Sequence, residues 1–275
     1  MDFIKYNLEE IFIAAIVIAV AYLIFFIVKS KRRRRKIGFY YNFILYKLGI
    51  NKRMSKTYIG MVHVRENYEP LVEISHPKII FSKETVEQPV MLRKEVAARL
   101  YKIANKLPNE QYIKIYSAYR SRIALYNVWK EEVARAEKEN LKMQRSELLE
   151  LVKFKVSAPN INMGGHDTGA AIDIAICDKN GNDMDYGTKY HETSQAGSLT
   201  PLNAEQKNNQ KYLMKLMRSQ NFIQQPGQWW HYSYGDRYWA VYKGKRTGAF
   251  YGAAEKEFEN TGYARVIKTI VSSNI

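Results

Sequence analysis

Gly164-Gly165-His166-Asp167-Thr168-Gly169-Ala170-Ala171-Ile172-Asp173 sets a histidine seven residues ahead of an aspartate that lies inside an apolar run. On a strand, Ile172, Ile174 and Ile176 face one side, and Ala171, Asp173 and Ala175 the other. The isoleucine side packs into a core. The alanine side is low and leaves room beside Asp173 for a ligand. The glycines around His166 permit backbone turns that bring it toward that face. A carboxylate between two isoleucines needs a partner, because an unpaired buried charge is costly. A metal ion or a salt bridge would serve.

Gln228-Trp229-Trp230-His231 supplies a second histidine in an aromatic strand. Two histidines and one carboxylate can bind one zinc ion and leave a coordination position open for water, which a hydrolytic metal site requires. The single cysteine, Cys177, rules out an internal disulfide and a Cys-rich zinc site. His63, His76 and His191 lack glycine framing and read as structural.

Around this centre the pattern is mixed. Met61–Arg65 alternates like a strand. Val90–Leu107 carries a helical stripe of Leu92, Val96, Leu100, Ile103 and Leu107. Tyr112–Tyr116 reads as a short strand, Ser121–Lys153 as one long polar helix, and Ala170–Cys177 as a strand. Thr200-Pro201 opens a helix that runs to about Ser219. Gln228–Tyr234 and Tyr238–Tyr242 read as two strands joined at Gly235-Asp236. Strands and helices do not alternate in βαβ units, so the expected class is α+β.

The formal net charge of +16 is unevenly placed: residues 29–56 hold 11 Lys/Arg and no Asp or Glu. A uniform excess would point to nucleic acid, whereas a basic block beside an apolar run points to a membrane surface. Ile11–Val28 is uncharged and spans roughly 27 Å as a helix, close to the hydrocarbon thickness of a bilayer. Acidic residues precede it and Lys29–Lys36 follows it without a cleavage-like site, so it reads as an uncleaved anchor. Anionic headgroups would meet Lys29–Lys36, and the positive-inside rule keeps the following domain cytoplasmic. The expected organisation is a tail and transmembrane anchor over 1–28 and a basic aromatic juxtamembrane segment over 29–56. A zinc domain over 57–247 and a tail over 248–275 complete it. No nucleic-acid partner is expected.

Gly-x-His166-x-x-Gly-x-Ala-x-Asp173, followed by Gln228-Trp-Trp-His231-Tyr, resembles the zinc D-alanyl-D-alanine dipeptidases, which share a Hedgehog-like D,D-peptidase fold. Tyr116-Ser-Ala-Tyr119-Arg120 is similar to that family's arginine motif. Val64–Pro70, Tyr186-Gly-Thr188 and the Pro201–Phe222 helix are also similar. The resemblance implies a central, mostly antiparallel sheet. It also implies His166, Asp173 and His231 as zinc ligands, Arg120 as the oxyanion partner and a D-Ala-D-Ala-type dipeptide as substrate. Two positions depart from the family: Gly164 replaces its usual Ser, and Gln228 replaces the Glu that acts as base. Gln cannot titrate near neutral pH. Three functions follow: a membrane-anchored dipeptidase, in which zinc alone sustains some hydrolysis or another carboxylate such as Glu192 or Asp236 takes the base's place; a zinc-binding pseudo-peptidase that holds peptide or wall fragments without efficient hydrolysis; and, least favoured by the retained ligand set, a structural membrane protein that reuses the fold.

Overall fold

The computed structural model describes residues 12–13, 15–20, 22, 25–27, 29–51, 54, 56–83, 89–155, 165–190, 201–245 and 248–254. The chain divides into two units, Met1–Met54 and Ser55–Ile275.

In the first unit the described residues from 12 to 27 are helical, and Phe12, Ile13, Ile16, Val17, Ile18 and Phe25 are all exposed. Helix α1 (Lys31–Lys47) follows, capped by the Ser30 hydroxyl, which accepts from Arg33 N. The basic cluster is therefore helical and continuous with the aromatic stretch. Among the described residues no helix is long and apolar enough to cross a membrane. The expected span over 11–28 lies partly outside them, at residues 11, 14, 21, 23, 24 and 28.

The second unit runs α2 (Lys56–Gly60), β1 (Leu71–Glu73), β2 (Ile79–Phe81), β3 (Met91–Arg93), α3 (Lys94–Ala104), β4 (Tyr112–Ser117), α4 (Arg122–Glu139) and α5 (Arg145–Lys155). A 3-10 turn (His166–Thr168), β5 (Ala171–Cys177), α6 (Ala204–Ser219), β6 (Ile223–Gln224), β7 (His231–Ser233) and α7 (Arg237–Tyr242) complete it. The main sheet has the order β2-β4-β5-β7-β6, and only the β2–β4 pair is parallel. The class is α+β, as the sequence led us to expect.

β5 is the sheet's central strand and is buried along its whole length. Ile174 and Ile176 pair with Ile115 and Ile113 of β4, forming an apolar row. Val96, Leu100 and Ile103 of α3 and Leu213 and Met217 of α6 are buried, as a helical stripe dictates. α6 starts at a capping box, with Asn203 and Gln206 each accepting from the other's backbone N–H.

Several elements differ from expectation for local reasons. Residues 238–242 form a helix rather than a strand, because Asp236 caps it by accepting from Trp239 N at 2.8 Å. Trp239 to Tyr242 are all buried, so apolar periodicity carried no signal there. The long helix over 121–153 is a hairpin of α4 and α5, closed by Val133 and Ala136 against Leu148 and Val152. Asn140 ends α4, its side chain donating to Ala136 O at 3.0 Å. Met91–Arg93 leaves the expected helix to pair with β1. Among the described residues, 61–65 make a single bridge, Val64 with Ala249. The strand expected over 228–234 shortens to 231–233.

Candidate metal centre

Strand pairing places two of the three expected ligands. Asp173 lies opposite Ser117 of β4 on one side and His231 of β7 on the other. Residues directly opposite across a sheet share a face, so their side chains meet. His231 Nδ1 stands 2.8 Å from Asp173 Oδ1.

The third arrives from the 3-10 turn. Gly169 ends that turn at φ +66°, and its N–H donates to His166 O at 3.1 Å. A Cβ at Gly169 would stand 2.3 Å from Leu71 Cδ2 in addition to that backbone strain. Glycine at 169 thus lets the chain fold His166 back over β5, where its Nε2 reaches 3.4 Å from Asp173 Oδ2. His166 Nδ1 stands 2.7 Å from Ala118 O. Donation to that carbonyl fixes the proton on Nδ1 and leaves the Nε2 lone pair facing Asp173.

His166, Asp173 and His231 offer ligand atoms that all lie within 4.8 Å of one another. Two ligands on one tetrahedral zinc, each at about 2.0–2.1 Å, are about 3.3 Å apart. The 3.4 Å and 2.8 Å separations bracket that value, and nitrogen with carboxylate oxygen is a donor set that zinc takes. The residues fit the ion. Burial by itself would raise the Asp173 pKa, but the His166 and His231 rings together hold it well below the usual carboxylate range. Asp173 therefore stays anionic, the form a metal ion would require.

Two residues that the sequence reading did not single out support the set. Tyr190 donates its hydroxyl to Asp173 Oδ2 at 2.9 Å and stacks on Tyr116, ring centroids 4.1 Å apart. It follows Tyr186-Gly-Thr188, but nothing in its spacing marks a carboxylate partner. Arg93 grips the His166 turn: its Nε donates to Thr168 O at 2.8 Å, and its N to Gly169 O at 2.9 Å. The same guanidinium reaches Glu69 O, Gly252 O at 3.3 Å and the Glu66 carboxylate at 3.3 Å. From the other side, Ala254 N donates to Asp167 O at 2.8 Å.

Arg120 stands next to this turn, its backbone N–H donating to His166 O at 3.2 Å. Among the described residues its guanidinium makes no hydrogen bond or ion pair. Gln228 lies in a turn, its N–H donating to Gln225 O at 3.2 Å and its carbonyl accepting from Gln224 Nε2 at 3.2 Å. No hydrogen bond joins its side chain to the three donors. Glu192, Gly164 and His191 lie outside the described residues. Asp236 is fully buried, and burial pushes its pKa up to about 6 against the Trp239 N–H, the Ser233 hydroxyl and His231.

Residues 82–246, more than half of the chain, match the Peptidase_M15 family, D-ala-D-ala dipeptidase. The chain belongs to that family. A D-alanyl-D-alanine dipeptidase of Synechocystis sp. (strain ATCC 27184 / PCC 6803 / Kazusa) is 32% identical over 108 residues, covering 33% of this chain and 44% of that protein. The match thus spans less than half of that relative's length. Among solved structures, a vancomycin-resistance D,D-pentapeptidase, VanY from a VanB-type cassette in complex with Zn(II), is similar at a TM-score of 0.39 and 13% identity. It covers 68% of this chain and 96% of that one. VanYB in complex with D-alanine-D-alanine is similar at a TM-score of 0.38 and 13% identity, covering 66% and 92%.

Proposed function

We propose that this protein is a zinc D,D-peptidase that hydrolyses D-Ala-D-Ala or a related cell-wall dipeptide. The observation that carries the reading is the convergence of His166, Asp173 and His231 within 4.8 Å in a chain of this family. When bound, zinc acts as a Lewis acid on the scissile carbonyl and lowers the pKa of the attacking water. His166 is oriented for that ion by Ala118 O, and Asp173 by Tyr190. Arg120, beside the His166 turn, would meet the negative charge that develops on the carbonyl oxygen.

Gln228 supports a second reading, a zinc-binding pseudo-peptidase that captures peptide or wall fragments. An amide cannot take a proton from water or deliver one to the leaving amine. The loss of such a group costs about 10²–10⁴-fold in rate. One assay separates the two: D-Ala-D-Ala hydrolysis by the zinc-loaded protein beside calorimetric binding of the same dipeptide. Turnover supports the peptidase. Binding without turnover supports the capture role. Neither, with zinc bound, sinks both.

We further infer a single-pass membrane anchor over 11–28 with Lys29–Lys36 on anionic headgroups. The exposed apolar helical residues from 12 to 26 and the adjoining basic helix support it. The positive-inside rule puts the enzyme domain in the cytoplasm, where a free dipeptide precursor would be met. Protease added to intact cells should spare the domain; its digestion would reverse the topology.

A further inference from the structure

Arg122 opens α4, and its charge does nothing for that helix. The first turn holds no acidic residue, and a cation at a helix N-terminus opposes the helix dipole. Ser121 already caps α4 by accepting from Ala124 N at 3.1 Å. The Arg122 side chain reaches off the helix instead: its Nε donates to Asp167 Oδ2 at 3.3 Å, and the two side chains are only 12% and 7% exposed. A buried ion pair adds little stability over apolar side chains of similar volume, because desolvation of both charges offsets their attraction. Helix formation and stability therefore leave this pair without an account.

Its placement supplies one. Arg122 stands two residues after Arg120, and Asp167 one residue after His166. The two segments come from different parts of the chain, with α4 and α5 between them. They already meet once through the backbone, where Arg120 N donates to His166 O at 3.2 Å. One such bond leaves the segments free to pivot about it. A second contact, one or two residues further along each segment, removes that freedom.

We propose that Arg122 and Asp167 are positioning residues: their ion pair locks the Arg120 segment against the His166 turn, so that the Arg120 guanidinium keeps a set place relative to the metal site. The inference rests on the reading of Arg120 as the oxyanion partner and of His166, Asp173 and His231 as a zinc site. Neither Arg122 nor Asp167 is asked to touch the substrate.

The test reads the oxyanion contact without turnover. A phosphinate analogue of D-Ala-D-Ala carries a tetrahedral anion like that of the transition state, so it should bind more tightly than the dipeptide itself. Calorimetry on the zinc-loaded full chain gives both dissociation constants, and their ratio is the preference. Arg120→Ala should abolish it; a preference untouched there would remove the Arg120 reading and the proposal with it. The deciding variant combines Arg122→Met with Asp167→Leu, which replaces both charges by apolar side chains and should melt near the wild-type temperature. It should lose about 10²-fold of the preference, with zinc content and dipeptide affinity unchanged. A retained preference would overturn the proposal and leave Arg120 standing. If the double variant melts early, two single variants decide. Arg122→Lys keeps a cation for Asp167 and should keep most of the preference, whereas Arg122→Gln should lose it; equal preference in the two would overturn the proposal. A wild-type protein that takes up no zinc would remove the metal reading and the proposal together.

Discussion

Tyr190 donates its hydroxyl proton to Asp173 Oδ2 across 2.9 Å while its ring lies flat on Tyr116, at an interplanar angle of 9°. One side chain thereby links the Asp173 carboxylate to the strand that leads into Arg120. A phenol held by stacking costs little entropy to aim, and a hydrogen bond to a carboxylate is worth about 1.5–3 kcal/mol. Tyr190→Phe keeps the stack and removes the bond. We expect zinc to bind at full stoichiometry but about 10-fold more weakly by chelator competition. Unchanged affinity would reduce Tyr190 to a packing role.

At position 228 the two functional readings separate. Gln228→Glu places a titratable group of nearly the same size three residues before His231. If this is the base position, D-Ala-D-Ala turnover should rise by about 10²-fold or more, with zinc content constant. High wild-type turnover that the substitution leaves unchanged would mean that another group already moves the proton.

Arg120 is tested through the balance of kinetic constants. A guanidinium that meets charge only as it develops should lower kcat more than it raises KM. Arg120→Ala should cost about 10²-fold or more in kcat. Arg120→Lys keeps the charge but loses the planar fork, so most of the loss should remain. A change confined to KM would make Arg120 a ground-state anchor.

The pH dependence of stability should carry the signature of Asp236. Its folded pKa, about 6, lies above the usual carboxylate value, with burial as the main cause. The folded chain therefore holds a proton that the unfolded chain has released. Stability from this group is present in full below the unfolded value of about 4 and is lost as pH rises toward about 6. In chelator-treated protein, denaturation at pH 4.5 and 7.5 should find wild type losing stability relative to Asp236→Asn as pH rises. A difference that stays flat across that interval would mean that Asp236 titrates normally.

The meeting of His166, Asp173 and His231 was legible in the sequence because they sit in rigid, local patterns. The Ile/Ala alternation of 171–177 fixes which face Asp173 takes, and Gly169 fixes the turn that returns His166. His231 was legible through its aromatic strand, although that strand is only three residues long. What escaped was set by long-range packing. Tyr190 and Arg93 reach partners 17 and 75 residues away through side chains whose spacing carries no period. The helix at 237–242 hid behind the buried run 239–242, and its one local sign, Asp236 as cap, also fits a turn between strands.

Arg93 ties an early strap, through Glu66, to a late one, through Gly252 O, and to the turn bearing His166, through Thr168 O. Synthesis runs from one end of the chain to the other. Until residues 249–254 have left the ribosome, Arg93 and Asp167 lack their last partners, and the His166 turn is gripped from one side only. The donor set is then complete in composition well before it is complete in geometry. A nascent chain with both histidines already made should hold zinc poorly, and the ion should be captured tightly only once the two straps have closed over the turn.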